Sequence, residues 1–586
     1  MLKKFFISML GSIAGFWISL AIACFALLGV LGAVVASSSD SKSTKISKGS
    51  VLYLDLSGEM RDRNQDLDFM QILRGGDIDS DALVDYIDAI DLAATDSRID
   101  GIYIKADGSV QGTATREEII NALNRFKQSG KWIYAYADGY SQGDYLLASV
   151  ADEVILNPVG SVDVHGVATM VPFFKDLLDK IGVKMQIVRV GTFKSAVEPF
   201  MGNSMSDASR MMNQVMVDSI WQYMAGTIAN NRDVTLATVN QWADSLLAFY
   251  TPAHTVDAGA VNSLMYERQV NDKLRELLDL DSSDDLPLVS PSELLATRNS
   301  NYSEKSHIAV LFAEGDIVDS GDGGIVGDKM TPEIIALADD DNVAAMVLRV
   351  NSGGGSAFAS EQIWEAIQYF KSKDKPVYVS MGDYAASGGY YISCGADCIY
   401  ADRTTLTGSI GVFGMIPDFS GLVTDKLGVH FSTVETNPNA TFPGTMTGMT
   451  PEQHAIMQRS VNQTYEIFTS RVAEGRGMSQ DSVKAIAEGR VWVGGQALQL
   501  GLVDRIGGLY ETIHAMADHI DLDPDRVVYY PKVSDQWFNQ IVAEARRNVS
   551  AGSVSIDAEA ANILRLLNQI RTQNPVQARM EPVEIR

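Results

Sequence analysis

The residues best suited to chemistry lie in the stretch 377–415, around a serine that has small residues on both sides. The sequence predicts an apolar strand over 377–381, a turn at 382–384 and a helix over 390–396. Ser387 lies at the junction between the predicted strand and the predicted helix. Because its neighbours are alanines and glycines, its hydroxyl can be exposed without a side-chain clash. The free N–H groups and positive end of that helix favour an oxyanion beside it. Ser387 is therefore a candidate nucleophile, and an ordinary helix N-cap is the competing interpretation.

A glycine-rich turn follows another predicted strand at 351–356, with the sequence Asn-Ser-Gly-Gly-Gly-Ser. No Gly-Lys-Ser or Gly-Lys-Thr follows it, which argues against a nucleotide-binding loop. Consecutive glycines let backbone N–H groups point into a site, as an oxyanion hole requires. Turn formation alone explains the same glycines, so both interpretations stay open on these residues.

Composition excludes several classes of function. The chain has 586 residues, more than the roughly 150 of a single domain, so we expect several domains. Its 47 basic and 74 acidic side chains leave a net charge of −27, which repels phosphate backbones and excludes nucleic acid as an expected partner. Three cysteines cannot form a disulfide framework, and neither CxxC nor HExxH provides metal-ligand spacing. We expect no metal and no cofactor.

The N-terminal segment predicts a membrane anchor. Lys3 and Lys4 precede an uncharged run over 5–36, and about 20 apolar residues already span a bilayer. A cleaved signal peptide is the alternative, because Ala-Val-Val-Ala-Ser at 33–37 looks like a cleavage site. The length of the run favours an uncleaved anchor at 1–36. The two lysines predict an inside N-terminus, so the residues after a polar linker at 37–48 lie outside the cytoplasm.

Beyond the linker the chain repeats itself. We therefore predict two tandem α/β domains, at 49–300 and 301–530, followed by a C-terminal extension at 531–586. Each copy alternates short apolar strands with amphipathic helices, for example over 117–127 and 361–371. The matching segments are 102–107 with 346–351, 131–145 with 375–390, and 160–166 with 408–414.

The two halves differ where chemistry is expected. Opposite Ser387 the first half has Gln142 or Gly143, depending on where one gap falls, and neither is a nucleophile. Opposite the glycine turn it has Asp-Gly-Ser-Val-Gln-Gly at 107–112. The candidate nucleophile is therefore confined to the second half.

With these motifs the chain resembles the signal peptide peptidase A family, membrane-anchored bacterial proteases, in the long form with two repeats. The most specific motifs are Gly-Thr-Phe-Lys-Ser-Ala-Val-Glu-Pro-Phe at 191–200, the stretch 382–390, and Leu-Thr-Gly-Ser-Ile-Gly at 406–411. The resemblance runs from the anchor to about residue 515. It implies an α/β fold with two tandem crotonase-like or Clp-like domains after an N-terminal transmembrane helix. One departure is Gly353, where the family usually has proline.

The resemblance also implies roles for particular residues. It makes Ser387 the nucleophile and Lys194 the general base, so each repeat supplies one reactive group. Oxyanion donors are expected at Gly354 and Gly388. Further expectations are a homotetramer with active sites facing an inner chamber, a single-pass topology at the bacterial inner membrane with periplasmic catalytic domains, and substrates that are signal-peptide remnants and other short apolar peptides.

Three alternatives are kept against this interpretation. His165 aligns with Phe413 in a glycine-bounded loop and is the rival candidate for the base. A crotonase-like acyl-CoA enzyme would use the same backbone N–H groups but would explain neither the anchor nor Lys194. A catalytically inactive membrane scaffold would need Ser387 only as a helix cap.

Overall fold

The computed structural model describes residues 46–63, 82–106, 108–298, 305–532 and 576–580. The predicted anchor at 5–36, most of the linker at 37–48 and most of the extension at 531–586 lie outside the described residues. None of the helices within the described ranges combines the length and the apolar character needed to cross a bilayer.

Short strands alternate with helices along both halves of the chain. Among the described residues the strands are β1 (Ser50–Asp55), β2 (Gly58–Glu59), β3 (Ile99–Lys105), β4 (Ser109–Val110), β5 (Trp132–Ala137), β6 (Glu153–Leu156), β7 (Lys184–Val190), β8 (Ser263–Leu264), β9 (Leu288–Val289), β10 (His307–Glu314), β11 (Ile317–Val318), β12 (Ile325–Val326), β13 (Val343–Ser352), β14 (Gly354–Ser356), β15 (Val377–Ala386), β16 (Cys398–Ala401), β17 (Leu406–Gly408), β18 (Val412–Asp418), β19 (Val491–Val493), β20 (Arg505–Ile506), β21 (Val527–Tyr530) and β22 (Val576–Arg579).

The helices cover the sheets and connect their parallel strands. In the described ranges they are α1 (Leu83–Thr95), α2 (Thr113–Lys127), α3 (Gln142–Ala148), α4 (Lys175–Ile181), α5 (Asp207–Arg232), α6 (Leu236–Ser245), α7 (Pro252–Asp257), α8 (Glu267–Leu277), α9 (Pro291–Leu295), α10 (Gly327–Asp339), α11 (Ala357–Lys371), α12 (Gly388–Ser393), α13 (Pro451–Arg476), α14 (Gln480–Ile486), α15 (Gly494–Gln499) and α16 (Leu509–His519). Short 3-10 turns occur at Ser195–Phe200 and Leu247–Phe249, and a π turn occurs at Leu422–Lys426.

Each half builds a largely parallel sheet. The first has the order β8-β6-β5-β3-β1-β9, and the second has β19-β17-β15-β13-β10-β21 with β16 and β20 attached beside β15. Central strands such as β10 and β13 are buried along almost their whole length. Such near-continuous apolar runs are typical of parallel strands covered on both faces by helices.

The strand that leads to Ser387 is longer than predicted. The turn expected at 382–384 is wrong, because β15 continues to Ala386 by changing partners. Its first part pairs with β16, and its last three residues pair with β17, so the backbone stays hydrogen-bonded past Gly382. The helix predicted over 390–396 begins and ends earlier, as α12.

A third sheet joins the two halves. Its order is β12-β11-β14-β22-β18-β7, so β7 is the member from the first half. β7 pairs antiparallel with β18 over seven residues, from Lys184 opposite Asp418 to Val190 opposite Val412. This pairing fixes the position of the loop that follows β7 relative to the second half.

Polar groups reinforce the contact between the halves. The carboxylate of Asp383, in β15, accepts hydrogen bonds from the N–H groups of Ala114 (2.9 Å) and Thr115 (3.1 Å) and from the Thr115 hydroxyl (2.7 Å). These donors lie in the first turn of α2, where a negative charge is favourable. A side chain of the second half therefore caps a helix of the first.

A buried ionic cluster lies at the same interface. The Arg349 guanidinium, fully buried, contacts Asp62 Oδ1 at 2.8 Å and Glu118 Oε1 at 2.6 Å. Burial raises the pKa of Glu118 to about 7, against the opposing effect of Arg349. Burial, together with the nearby carboxyls of Glu118 and Glu117, raises the pKa of Asp402 well above its usual value. Among the described residues neither carboxyl oxygen of Asp402 has a hydrogen-bond partner.

Asp402→Asn should therefore stabilise the protein increasingly as the pH rises. Because the pKa of Asp402 is higher in the folded chain than in the unfolded chain, protonation favours folding at acid pH, and that contribution is lost as pH rises. The neutral amide removes this dependence. We expect thermal melting curves of the two proteins to coincide near pH 4 and to separate by several degrees near pH 8. If the difference in melting temperature between the two proteins did not change with pH, the raised pKa of the buried Asp402 carboxyl would be contradicted.

Candidate active site

Ser387 lies at a sharp turn between β15 and α12. Its backbone has φ 55° and ψ −111°, a positive-φ conformation that is uncommon for a residue other than glycine. The Ser387 N–H donates to the Gly408 carbonyl at 2.8 Å, which holds the turn against β17. Although Ser387 occupies the N-cap position, its hydroxyl makes no capping hydrogen bond. The cap interpretation is therefore wrong, and the hydroxyl is available for chemistry.

Lys194 supplies an amine to this hydroxyl from the first half. The Lys194 Nζ atom lies 2.8 Å from Ser387 Oγ, and both side chains are buried. Nζ also lies 3.0 Å from the Ser409 carbonyl oxygen and 3.0 Å from Ser409 Oγ. Burial in a low-dielectric interior favours the neutral amine over the ammonium. A neutral amine at this distance can accept the hydroxyl proton.

The loop that carries Lys194 is packed closely against the second half. It leaves β7 at Gly191, which has φ 112°, and the Phe193 N–H donates to the Glu488 carbonyl at 2.8 Å. A Cβ atom added at Gly489 would lie 2.7 Å from the Lys194 backbone nitrogen. Glycine at position 489 therefore allows the close approach that brings the amine to Ser387.

Sequence reasoning assigned no role to Ser409. Its N–H donates to the Arg490 carbonyl at 2.7 Å, and its backbone φ is 48°. The carbonyl and hydroxyl of this one residue both face the lysine amine. The first half carries Ser161 at the matching position, so the comparison of the halves gave no signal that Ser409 is special.

The two glycines predicted as oxyanion donors lie close together. A Cβ atom at Gly354 would lie 2.6 Å from the Gly388 nitrogen and would overlap the carbonyl oxygen of Ala578. A Cβ atom at Gly388 would lie 2.9 Å from the same carbonyl oxygen. The Gly354 N–H donates to Ser352 Oγ at 3.1 Å. The glycines thus line one small space beside Ser387, with the stronger case for Gly388 as the donor.

His165 lies at the surface. Its side chain is 40% exposed, and its Nδ1 atom is 2.9 Å from Asp163 Oδ1. In the described part of the chain, the Ser387 hydroxyl instead contacts Lys194 and, at 3.5 Å, the Gly411 carbonyl. The arrangement favours lysine over histidine as the base.

The corresponding turn of the first half is closed by a carboxylate. Asp144, at the start of α3, accepts hydrogen bonds from the N–H groups of Gly108 (3.2 Å) and Ser109 (3.0 Å). It also contacts the Ser141 hydroxyl at 2.7 Å. Because these backbone donors are already satisfied by an anion, the first half offers no open oxyanion site at this turn.

Comparison with known proteins matches this geometry to a protease family. The family model described as Peptidase family S49 matches residues 125–281 and 369–523, one segment in each half. The chain belongs to peptidase family S49. It is therefore a serine protease, and the alternatives of an acyl-CoA enzyme and an inactive scaffold are set aside. A model described as Clp protease matches 311–409, which agrees with the predicted relation to the Clp-type fold.

Three relatives show how far the similarity extends. "Protease 4" of Haemophilus influenzae is 36% identical over 86% of this chain and 84% of its own length. "Serine protease SPPA, chloroplastic" of Arabidopsis thaliana is 26% identical over 92% of this chain and 78% of its own. "Putative signal peptide peptidase SppA" of Enterococcus faecium is 32% identical over 40% of this chain and 72% of its own. The two segments matched by the S49 family model, with the Clp protease match, confirm the α/β fold with two repeats that the sequence predicts.

Ser409→Ala should lower kcat without affecting the fold. Losing a hydroxyl that contacts the lysine amine should cost about 1–3 kcal/mol, or about fivefold to 150-fold in kcat. KM should change little, because the hydroxyl contacts the amine and not the peptide. The matched control is Ser393→Ala, since the Ser393 hydroxyl is also buried but donates to the Gly389 carbonyl within α12. Equal rates for the two variants would show that Ser409 does not position the base.

Proposed function

We propose that the protein is an endopeptidase with a Ser387–Lys194 dyad that degrades short apolar peptides, including signal peptides after their release from secretory precursors. The 2.8 Å approach of Lys194 Nζ to Ser387 Oγ, buried and built from both halves, carries this proposal. The name of the Enterococcus faecium relative, a putative signal peptide peptidase, supports the substrate class.

The proposed reaction is acyl transfer in two stages. Ser387 Oγ attacks the scissile carbonyl while the neutral Lys194 amine takes its proton and then passes it to the departing peptide amine. Water, deprotonated by the same lysine, then attacks the acyl-enzyme and releases the second product. The N–H of Gly388 stabilises the oxyanion in both stages, and the Gly354 N–H can assist only by leaving the Ser352 hydroxyl to which it donates. Removing one such donor costs about 3–4 kcal/mol in comparable enzymes.

The proposal extends to location and assembly. The uncharged run at 5–36 supports a single-pass anchor in the bacterial inner membrane with the catalytic domains in the periplasm. A homotetramer is supported by exposed apolar side chains in one loop after β18. Their exposed fractions are 65% for Leu427, 53% for Phe431 and 101% for Val434. Exposed apolar side chains in one loop are available for burial against a second copy of the chain.

Variants of the two candidate bases and of the nucleophile test the dyad. Ser387→Ala and Lys194→Ala should abolish hydrolysis of a fluorogenic apolar peptide, since each removes one of the two reacting groups. His165→Ala should retain most of the activity, and it is a matched control because the imidazole is exposed. A fluorophosphonate should form one adduct on the wild-type chain, at Ser387, detected by intact mass and peptide mapping.

The pH profile provides a second criterion. With a lysine base, activity should keep rising into the alkaline range, whereas a histidine base would give a plateau from about neutral pH, since imidazole titrates near ~6.5. An inactive His165→Ala enzyme beside an active Lys194→Ala enzyme would overturn the dyad. So would an adduct on another serine.

A further inference from the structure

A short segment of the second half holds the loop that carries the lysine. We call residues 191–194 the lysine loop and residues 488–490 the clamp segment. The Phe193 N–H donates to the Glu488 carbonyl at 2.8 Å, and the Thr192 N–H donates to Glu488 Oε2 at 2.9 Å. One residue of the second half thus binds two successive N–H groups of the lysine loop, one through its main chain and one through its side chain.

The main chain of the clamp segment bends to allow this contact. Glu488 has φ 54°, and Gly489 has φ 75°. A positive φ is unfavourable for a residue with a side chain and persists only where the surrounding structure imposes it, often at functional sites. A Cβ atom added at Gly191 would lie 2.5 Å from the Glu488 carbonyl oxygen, and one added at Gly489 would lie 2.7 Å from the Cβ atom of Lys194. The two main chains are therefore in direct contact.

The clamp segment also holds Ser409, the residue that faces the lysine amine. The Ser409 N–H donates to the Arg490 carbonyl at 2.7 Å, and the Ser409 hydroxyl donates to the Gly489 carbonyl at 3.4 Å. A neutral amine has two N–H bonds, and both acceptor oxygens of Ser409 lie 3.0 Å from Nζ. If the amine donates to these two oxygens, its lone pair is left for the Ser387 hydroxyl. The clamp segment therefore sets the lysine loop and this pair of acceptors relative to one another.

The Arg490 side chain makes a further contact with the lysine loop. Its guanidinium lies over the Phe193 ring, 5.2 Å from the centroid, and over the Trp492 ring, 4.0 Å from the centroid. A cation over an aromatic face is attracted to the ring. The residue immediately before Lys194 is thus held against the second half by its ring as well as by its N–H group.

We propose that Glu488 is a positioning residue for Lys194, whose carboxylate and carbonyl hold the lysine loop where the amine reaches the Ser387 hydroxyl. This inference deepens the proposed function and rests on it, because it requires Lys194 to be the base. Hydrogen bonds from Thr192 lower the pKa of the Glu488 carboxyl, so this acceptor is ionised at the alkaline pH at which a lysine base works.

Removal of the carboxylate should slow the chemistry without weakening peptide binding. In Glu488→Ala, kcat and the rate of fluorophosphonate labelling of Ser387 should both fall about tenfold to a hundredfold, because a small displacement of a reacting group has an effect of this size. KM should stay within about twofold of the wild-type value, since the carboxylate contacts the lysine loop and not the peptide. Glu488→Gln keeps an oxygen that accepts from the Thr192 N–H, so it should retain at least about a third of both rates.

Glu511→Ala is the matched control. The Glu511 carboxylate also accepts a backbone N–H, from Gly508 at 2.9 Å, and also contacts the other half, through Arg125 at 2.8 Å. It is partly buried like Glu488 but lies in α16, away from the lysine loop. Its loss should leave the labelling rate of Ser387 unchanged at a temperature at which both variants are folded. Equal losses of rate in the two variants would mean a general loosening of the halves and would overturn the positioning role.

A double-mutant comparison tests whether Glu488 acts through the lysine. In a Lys194→Ala background, Glu488→Ala should cause no further loss of labelling, because the base that it positions is absent. A further tenfold loss there, or a wild-type labelling rate in Glu488→Ala alone, would overturn the positioning role and leave the dyad in place. A wild-type labelling rate in Lys194→Ala alone would overturn the proposed function, and this inference with it.

Discussion

The antiparallel pairing of β7 with β18 determines where the reactive groups meet. Seven residues of the first half are held in register against seven of the second, and Lys194 follows β7 by only four residues. A slip of one residue would turn each side chain of β7 to the opposite face of the sheet. The register of β7 against β18 therefore sets the position of Lys194 relative to Ser387, although neither strand contains either residue.

The rest of the interface keeps that register rigid. Asp383 caps α2 from the other half, and Arg349 ties Asp62 and Glu118 into a buried cluster. Breaking a buried ion pair by removing one partner costs about 3–5 kcal/mol, so separation of the halves is unfavourable here. Lys194 is itself buried where the halves meet, with its amine against Ser387 and Ser409. The contact between the halves thus holds both the buried charges and the buried amine.

Duplication explains how a single site arises from two similar halves. The turn of the first half is closed by Asp144, whereas the matching turn of the second half is lined by Gly354 and Gly388. Only the first half carries the lysine, and only the second carries the serine. Each half supplies one of the two side chains in contact at the site, so isolated halves should be inactive.

Much of this could be predicted from the sequence. The repeat, the α/β class and the candidacy of Ser387 follow from local patterns, because strand periodicity and small residues at a turn are local properties. The choice of nucleophile over helix cap came from the resemblance. Lys194 was assigned by resemblance alone, since its contact with Ser387 spans 193 positions in the chain and depends on the pairing of β7. Ser409 was missed because Ser161 matches it, and the place of β22 was missed because a short polar strand reveals no partner. The predicted turn at 382–384 failed since a change of strand partner is not visible in hydropathy.

The rate at which a fluorophosphonate modifies Ser387 tests the central claim most directly, because it reports activation of the hydroxyl without any step of peptide binding. Lys194→Met is the appropriate comparison, since methionine keeps a long buried side chain and removes only the amine. If Lys194 activates Ser387, the variant should be labelled at least about a hundredfold more slowly than the wild type at the same pH, with the same melting temperature. Equal labelling rates in the two proteins would contradict a dyad built across the repeats.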